Sequence, residues 1–319
     1  MVAFLFRRVL QSIVVLLIVT MITFALLRMI PGNVAVAVMG PGAYRNPQAI
    51  KLFNATYGFN LPWYRQYFLW LGNLARGNLG FSWTLNQSVA SLLASRMSKT
   101  IVLVGISTLL ALALAIPIGV IQAVRRNKFT DHFFNAFSTI FYATPAFLIG
   151  IVAILLFAIK FPIFPPEGPQ GEGFGSLITN FNALILPICT LALVTIALFS
   201  RYMRSSVLDN LTEDYVRTAR AKGASERRVL IQHVLRNSLI PIATLLGLSL
   251  PGILAGALIT ESVFNYPGMG YLFYQSALKQ DYPTLLGFTV VVALATVIGS
   301  LLADVAYAVL DPRVRYVSS

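Results

Sequence analysis

An all-α integral membrane protein of six transmembrane helices is the fold this sequence predicts, and three observations carry it. Hydrophobic residues make up 57% of the 319 residues and charged ones 11%, under half of the roughly one quarter charged that a soluble domain carries. Apolar runs long enough to cross a hydrocarbon core, which takes about 20 helical residues, recur six times. The basic residues gather at the ends of those runs, where cations anchor spans against headgroups. The formal net charge of +13 therefore reads as membrane orientation, and nucleic-acid binding is set aside.

The first span, residues 9–30, follows Arg7 and Arg8 and forms an N-terminal unit, 1–30. Ala35-Val36-Ala37 imitates a signal-peptidase site, but the apolar run from Val9 to Leu27 exceeds a secretory h-region of about 7–15 residues, so a retained anchor is expected. Residues 31–99 form an extracytoplasmic segment. Within it, 61–83 interleaves Trp, Tyr and Phe with Arg65, Gln66, Asn73 and Arg76. It is expected to fold back on the membrane surface, as an interfacial aromatic belt or as a dock for an external protein. Five further spans, at 100–124, 133–159, 184–207, 239–260 and 285–310, make a core over 100–319. The stretch 161–175 is a Pro/Gly loop without helical or strand periodicity. The single cysteine, Cys189, lies inside an apolar run; it can close no intrachain disulfide and is expected to be a packed core residue.

Charge sets the orientation. Arg125, Arg126 and Lys128 follow the second span, and eight Lys or Arg fall from Arg201 to Arg236, whereas the connections after the third and fifth spans hold only Lys160 and Lys279. The positive-inside rule then puts both termini in the cytoplasm of a multi-pass protein of the cytoplasmic membrane, with Arg313 and Arg315 adding to the inner count.

Within the cytoplasmic connection 208–238, the segment DYVRTARAKG runs from Asp214 to Gly223. Asn210 with Glu213 three residues on reads as a helix cap, and Gly223 closes the helix because glycine tolerates the left-handed turn. Ser225 is expected to cap a second helix through ERRVLIQHVL. The result is a helix, a glycine corner and a helix, offering Asp214, Tyr215, Arg217, Thr218, Ala219, Arg220, Lys222 and Gly223 to a soluble partner; a solvated basic loop is the alternative.

Chemistry-bearing motifs are scarce. No strand, GxxxxGK[ST] and helix occur together, so ATP hydrolysis is not expected of this chain. His132 and His233 have no carboxylate or cysteine cluster at ligand spacing, no metal or cofactor is expected, and no nucleophile stands beside a base. The protein does not read as an enzyme. Arg201 and Asp304 lie near the inner ends of the fourth and sixth spans, where a charge needs a reason; they form either a structural pair or part of a gate. Gly247, Ser249, Gly252 and Gly256 line a small-residue face of the fifth span around GILAG, suited to close helix packing or to lining a pathway. No internal repeat is apparent, which disfavours a carrier built from inverted halves.

RTARAKGASERRVLIQHVLRNSLIP at 217–241 resembles the cytoplasmic loop of permease subunits of bacterial peptide importers of the ATP-binding-cassette class. FRRVLQSIVVLLIVTMITFALLRMIPG at 6–32, LPWYRQYFLWLGNLARGNLGFS at 61–82, ESVFNYPGMG at 261–270 and LDPRVR at 310–315 are similar to the first, B-type permease of dipeptide and oligopeptide systems. The broad importer consensus has Glu-Ala-Ala, three residues, Gly, nine residues, then Ile-x-Leu-Pro. Here Arg217, Thr218, Ala219, Gly223, His233, Leu235 and Arg236 stand at those places. Asn33 and Asn78 also depart from the aspartate common in the subfamily. The resemblance implies a type I importer permease fold that pairs with a second, C-type permease. It also implies two cytoplasmic ATPases holding ATP and Mg, and an extracytoplasmic binding lipoprotein delivering di- or oligopeptide. Nickel chelates, haem and glutathione are carried by similar systems. A stand-alone channel or ion-coupled carrier is the reading from another class.

Overall fold

The computed structural model describes the backbone of residues 2–29, 34–171 and 173–310, with side chains at all of these except 2–9, 37, 41, 44, 173, 174, 248–256 and 302–310. The helices are α1 (Val2–Met29), α2 (Val34–Met39), α3 (Pro47–Thr56), α4 (Trp63–Ala75), α5 (Val89–Val124), α6 (Phe129–Ala143), α7 (Ala146–Ile154), α8 (Gly173–Thr179), α9 (Ile185–Leu211), α10 (Asp214–Ala221), α11 (Glu226–Arg228), α12 (Arg236–Val263), α13 (Met269–Leu278) and α14 (Tyr282–Leu310). Two-residue strands β1 (Phe81–Ser82) and β2 (Gln87–Ser88) pair antiparallel just before α5.

Among the described residues, five helices are long and apolar enough to cross a membrane, and the pair α6 and α7 makes a sixth span if it crosses as one unit. That third span, expected over 133–159, is not one continuous helix. It is broken between Ala143 and Ala146 and bends by 100°. Pro145 carries no N–H and excludes its predecessor from helical geometry, and Thr144 accordingly adopts φ −86°, ψ 127°. Over 161–171 the Pro/Gly loop has neither helix nor strand, as expected, while its residues from Gly173 on belong to α8. Cys189 is exposed, correcting its expected place in the core: it sits on the flank of α9 that this chain leaves uncovered.

The chain divides into two compact units, one of residues 1–98 and 268–297, the other of 99–267 and 298–319. In the first, α1 meets α4 through Phe24, Tyr67 and Leu286, all buried, with Trp70 and Leu71 against them. The Phe24 and Tyr67 rings meet edge-on at 5.6 Å between centroids, a geometry their quadrupoles favour. The Tyr67 hydroxyl lies 3.1 Å from Thr20 Oγ1. The start of α5 packs on α13 through Val89, Leu92, Leu93, Met269 and Leu272. Ser82 and Thr284 both donate to Asp281 Oδ2, closing the hairpin onto the α13–α14 corner.

The second unit is built around α9, which is buried along most of its length from Leu186 to Val207 and packs on α6, α7 and α12. It also comes close to α5. A Cβ at Gly119 would lie 2.6 Å from Met203 Cβ, 2.8 Å from the Ser200 carbonyl oxygen and 2.9 Å from Arg204 N, so the two backbones meet at a distance only glycine permits. Ser206 and Ser238 each donate to the other's carbonyl, at 3.1 and 3.3 Å, stitching α9 to α12.

Candidate functional site

The connection from α9 to α12 folds as a knob on this second unit. α10 is amphipathic: Val216 and Ala219 are buried and join Met203, Val207, Val229 and Val234 in one apolar cluster. Asp214, Arg217, Thr218, Arg220 and Lys222 stand exposed on the opposite face. The helix ends in a Schellman motif. Gly223 N–H donates to the Arg220 carbonyl at 2.9 Å, and Ala224 N–H to the Ala219 carbonyl at 3.1 Å. Gly223 itself is left-handed at φ +80°. A Cβ there would meet nothing within 4 Å, so the demand for glycine comes from backbone conformation alone.

Two local expectations are corrected. Asn210 does not cap α10. It lies inside α9, where its Nδ2 donates to the Ser206 carbonyl at 2.8 Å and its Oδ1 accepts from the Tyr215 hydroxyl, so its side chain ties the knob to the span below. Glu213 occupies the cap position, and Ser225 the cap of α11, both without a side-chain cap bond. The corner is clamped instead across the two helices. Arg220 donates from Nε to Glu226 Oε1 at 2.8 Å and from its terminal amino group to Oε2 at 3.1 Å. That carboxylate holds the Arg220 guanidinium above its ordinary value.

Beyond the corner the second helix has no end of its own. α11 passes into a π-helical stretch, Val229–Leu235, and then into α12 with every junction residue in right-handed helical geometry. Helix therefore runs unbroken from Glu226 to Val263. A groove of about 510 Å³ runs beside the corner, lined by residues including Tyr215, Thr218, Lys222, Arg228 and His233.

Of the other residues singled out in the sequence, Gly247 is buried on α12, while Ser249, Gly252 and Gly256 lie outside the described side chains. Asp304 does too, so its pairing with Arg201 lies outside the described residues. Arg201 is exposed and sets its guanidinium 5.3 Å from the Tyr142 ring centre.

Sequence reasoning missed two constellations. Arg204 grips Asp131 at the start of α6 through Nε at 2.7 Å and a terminal amino group at 2.8 Å. The Asp131 side chain is 4% exposed and that of Arg204 27%. The available signal was an acid in the first turn of a helix directly after a basic cluster. The second lies at the far end of α12. Glu261 is fully buried and accepts from Thr100 Oγ1 at 2.6 Å; Tyr266 OH donates to the Lys99 carbonyl at 2.9 Å, and Lys99 Nζ to the Gly171 carbonyl at 2.8 Å. Burial pushes the Tyr266 phenol up from its ordinary value. Gly168 N–H donates to the Phe264 carbonyl at 2.7 Å, so the Pro/Gly loop is clasped to the end of α12.

Residues 115–316 match the model of the family described as binding-protein-dependent transport system inner membrane component, and residues 1–104 match its N-terminal companion. The chain belongs to this family. It is thus a multi-pass membrane subunit of a transport system. It is 39% identical to the oligopeptide transport system permease protein AppB of Bacillus subtilis, over 99% of this chain and all of that one. It is 35% identical to the oligopeptide permease OppB of Haemophilus influenzae over the same shares. Identity is 34% to the glutathione transport system permease GsiC of Escherichia coli K12, again over 99% of this chain and all of that one. A solved structure of the inward-facing MetNI methionine ABC transporter shares the fold at TM-score 0.53 and 16% identity, covering 68% of this chain and 97% of that one. The type I importer permease fold follows.

Proposed function

We propose that this permease carries di- or oligopeptides inward as one half of a translocation path, and that the α10 knob receives the stroke of a separate ATPase. The observation that carries the mechanical part is helix continuity. The exposed charged face of α10 is fixed to a buried apolar face, and the corner after it leads through unbroken helix into α12. Closure of a partner around α10 becomes a tilt of a membrane-spanning helix. This face and both termini lie in the cytoplasm, a reading supported by the basic residues around the knob and the basic cluster after α5. ATP and Mg belong to the two ATPases. A second, C-type permease completes the path, and a binding lipoprotein delivers substrate from outside. Peptide is favoured as substrate because relatives matched over the full chain are named as peptide permeases, and glutathione, which one relative carries, is itself a tripeptide.

Reconstitution tests this. The chain alone is expected to hydrolyse no ATP and to move no peptide. With the second permease, both ATPases and the binding protein, ATP-dependent peptide uptake is expected, and it should vanish when any one component is omitted. ATP-independent flux through the isolated chain would put the channel or carrier reading first.

A further inference from the structure

Residues 1–98 contain eight Arg or Lys and no Asp or Glu, and the remainder of the first unit, 268–297, adds one lysine and one acid, Asp281. That acid is buried and already accepts from Ser82 and Thr284.

The unit holds a cavity of about 220 Å³ in which the end of α1 faces α4 and the start of α14. Its floor is apolar and aromatic: Phe24, Leu286 and Tyr282 are buried. Its rim is open, with Tyr57, Leu69 and Phe81 exposed. The one charged residue in its wall among the described residues is Arg28, whose guanidinium carbon lies 5.4 Å from the Phe24 ring centre and 5.0 Å from that of Phe59. Two aromatic faces and a hydrogen bond to Gln66 Oε1 hold this cation in place, and a guanidinium has donors beyond the one Gln66 takes. An immobilised guanidinium with donors to spare, in an aromatic cavity open at its rim, asks for an oxyanion.

From these features we infer that the cavity binds the headgroup phosphate of an anionic phospholipid. Three observations select lipid over other oxyanions. Arg28 lies at the end of an apolar span, Leu10–Met29, which is the depth of the headgroups. The flank of α1 below it is uncovered within this chain, with Met21, Ile22 and Leu26 exposed, so an acyl chain has an apolar wall to follow. The volume, below the roughly 300–1,000 Å³ of sites for drug-sized ligands, suits a phosphate and its ester linkages and is too small for an oligopeptide. The shortage of acids in the unit favours a lipid with net negative charge over a zwitterion.

The chain's three tryptophans, Trp63, Trp70 and Trp83, supply the probe, since Trp70 and Trp83 line the cavity and Trp63 does not. In a Trp63→Phe background, the full chain is placed in phosphatidylcholine nanodiscs doped with brominated phosphatidylglycerol or, separately, with phosphatidylcholine brominated at the same acyl carbons. Quenching by the anionic lipid is expected at a dopant fraction roughly tenfold lower, the equivalent of one charge-assisted hydrogen bond. Arg28→Gln should bring the two curves together. Equal quenching by the two lipids in the chain that retains Arg28 overturns the inference whatever the variant does, as does a preference that survives Arg28→Gln. An added arm with inorganic phosphate separates the sources: if soluble phosphate at millimolar level abolishes the preference, the site takes free phosphate and the lipid assignment fails.

Discussion

α1 and α9 are equally good transmembrane helices by composition and opposite in what surrounds them. Their spans have nearly the same mean hydropathy, yet 11% of the α1 window is buried within this chain against 72% of the α9 window. In water such a difference would leave α1 an aggregation hazard; in a bilayer, lipid or a partner subunit covers an apolar flank at little cost. What distinguishes the buried helix is fine detail. α9 carries Ser200, Ser206 and Thr195 on buried positions, receives the bare backbone of Gly119, and holds the Asp131–Arg204 fork. Hydropathy determines whether a helix enters the membrane, and small and polar residues determine which helix becomes the hub.

The sharpest way to break this comparison is Gly119→Val. Three α9 atoms, two of them backbone, lie within 3 Å of where its Cβ would go, and overpacking of this kind costs about 3 kcal/mol. Loss of folded chain in a detergent unfolding titration is expected, and wild-type stability would show that α5 and α9 do not meet there. Next is the buried fork: Asp131→Asn should cost about 2 kcal/mol, below the ~3–5 of a fully buried pair because Arg204 keeps part of its exposure. The charge-swapped pair Asp131→Arg with Arg204→Asp should recover part of the loss; strict additivity would deny the contact.

Gly223→Val is expected to be smaller in stability and larger in function. The left-handed backbone at φ +80° costs a β-branched residue about 1–2 kcal/mol, with no steric clash to add. At matched membrane abundance, peptide uptake and ATPase association should fall. Normal uptake would mean that the corner does not aim the helix. Smallest of all, Ile22→Ala on the exposed flank of α1 should change the stability of the isolated chain by less than about 0.5 kcal/mol. A loss as large as at Gly119 would show that α1 is packed within this chain after all.

Much of the knob was legible in advance because its signals are local. Gly223 followed from the need for a left-handed residue at a helix end, whereas Ala219, expected among the residues offered to a partner, turns inward beside Val216 because both lie on the apolar face of α10. The capping roles of Asn210 and Ser225 were not, because a side chain choosing between a cap and a carbonyl one turn back depends on where the next helix sits. Asp131 with Arg204, 73 residues apart in sequence, left no local trace of their contact.

By itself the sequence determined what short-range chemistry controls: six apolar spans, the helix-glycine-helix knob, and the family through its ordered motifs. Only the tertiary structure decided which glycine is a packing site, that Pro145 divides the third span at 100°, and that the knob's second helix continues into α12. It also decided that Arg28 and Trp70 share one cavity. Hydropathy and turn propensity act within a few residues, whereas close backbone approach, buried ion pairs and cavities exist only once distant segments have been brought together.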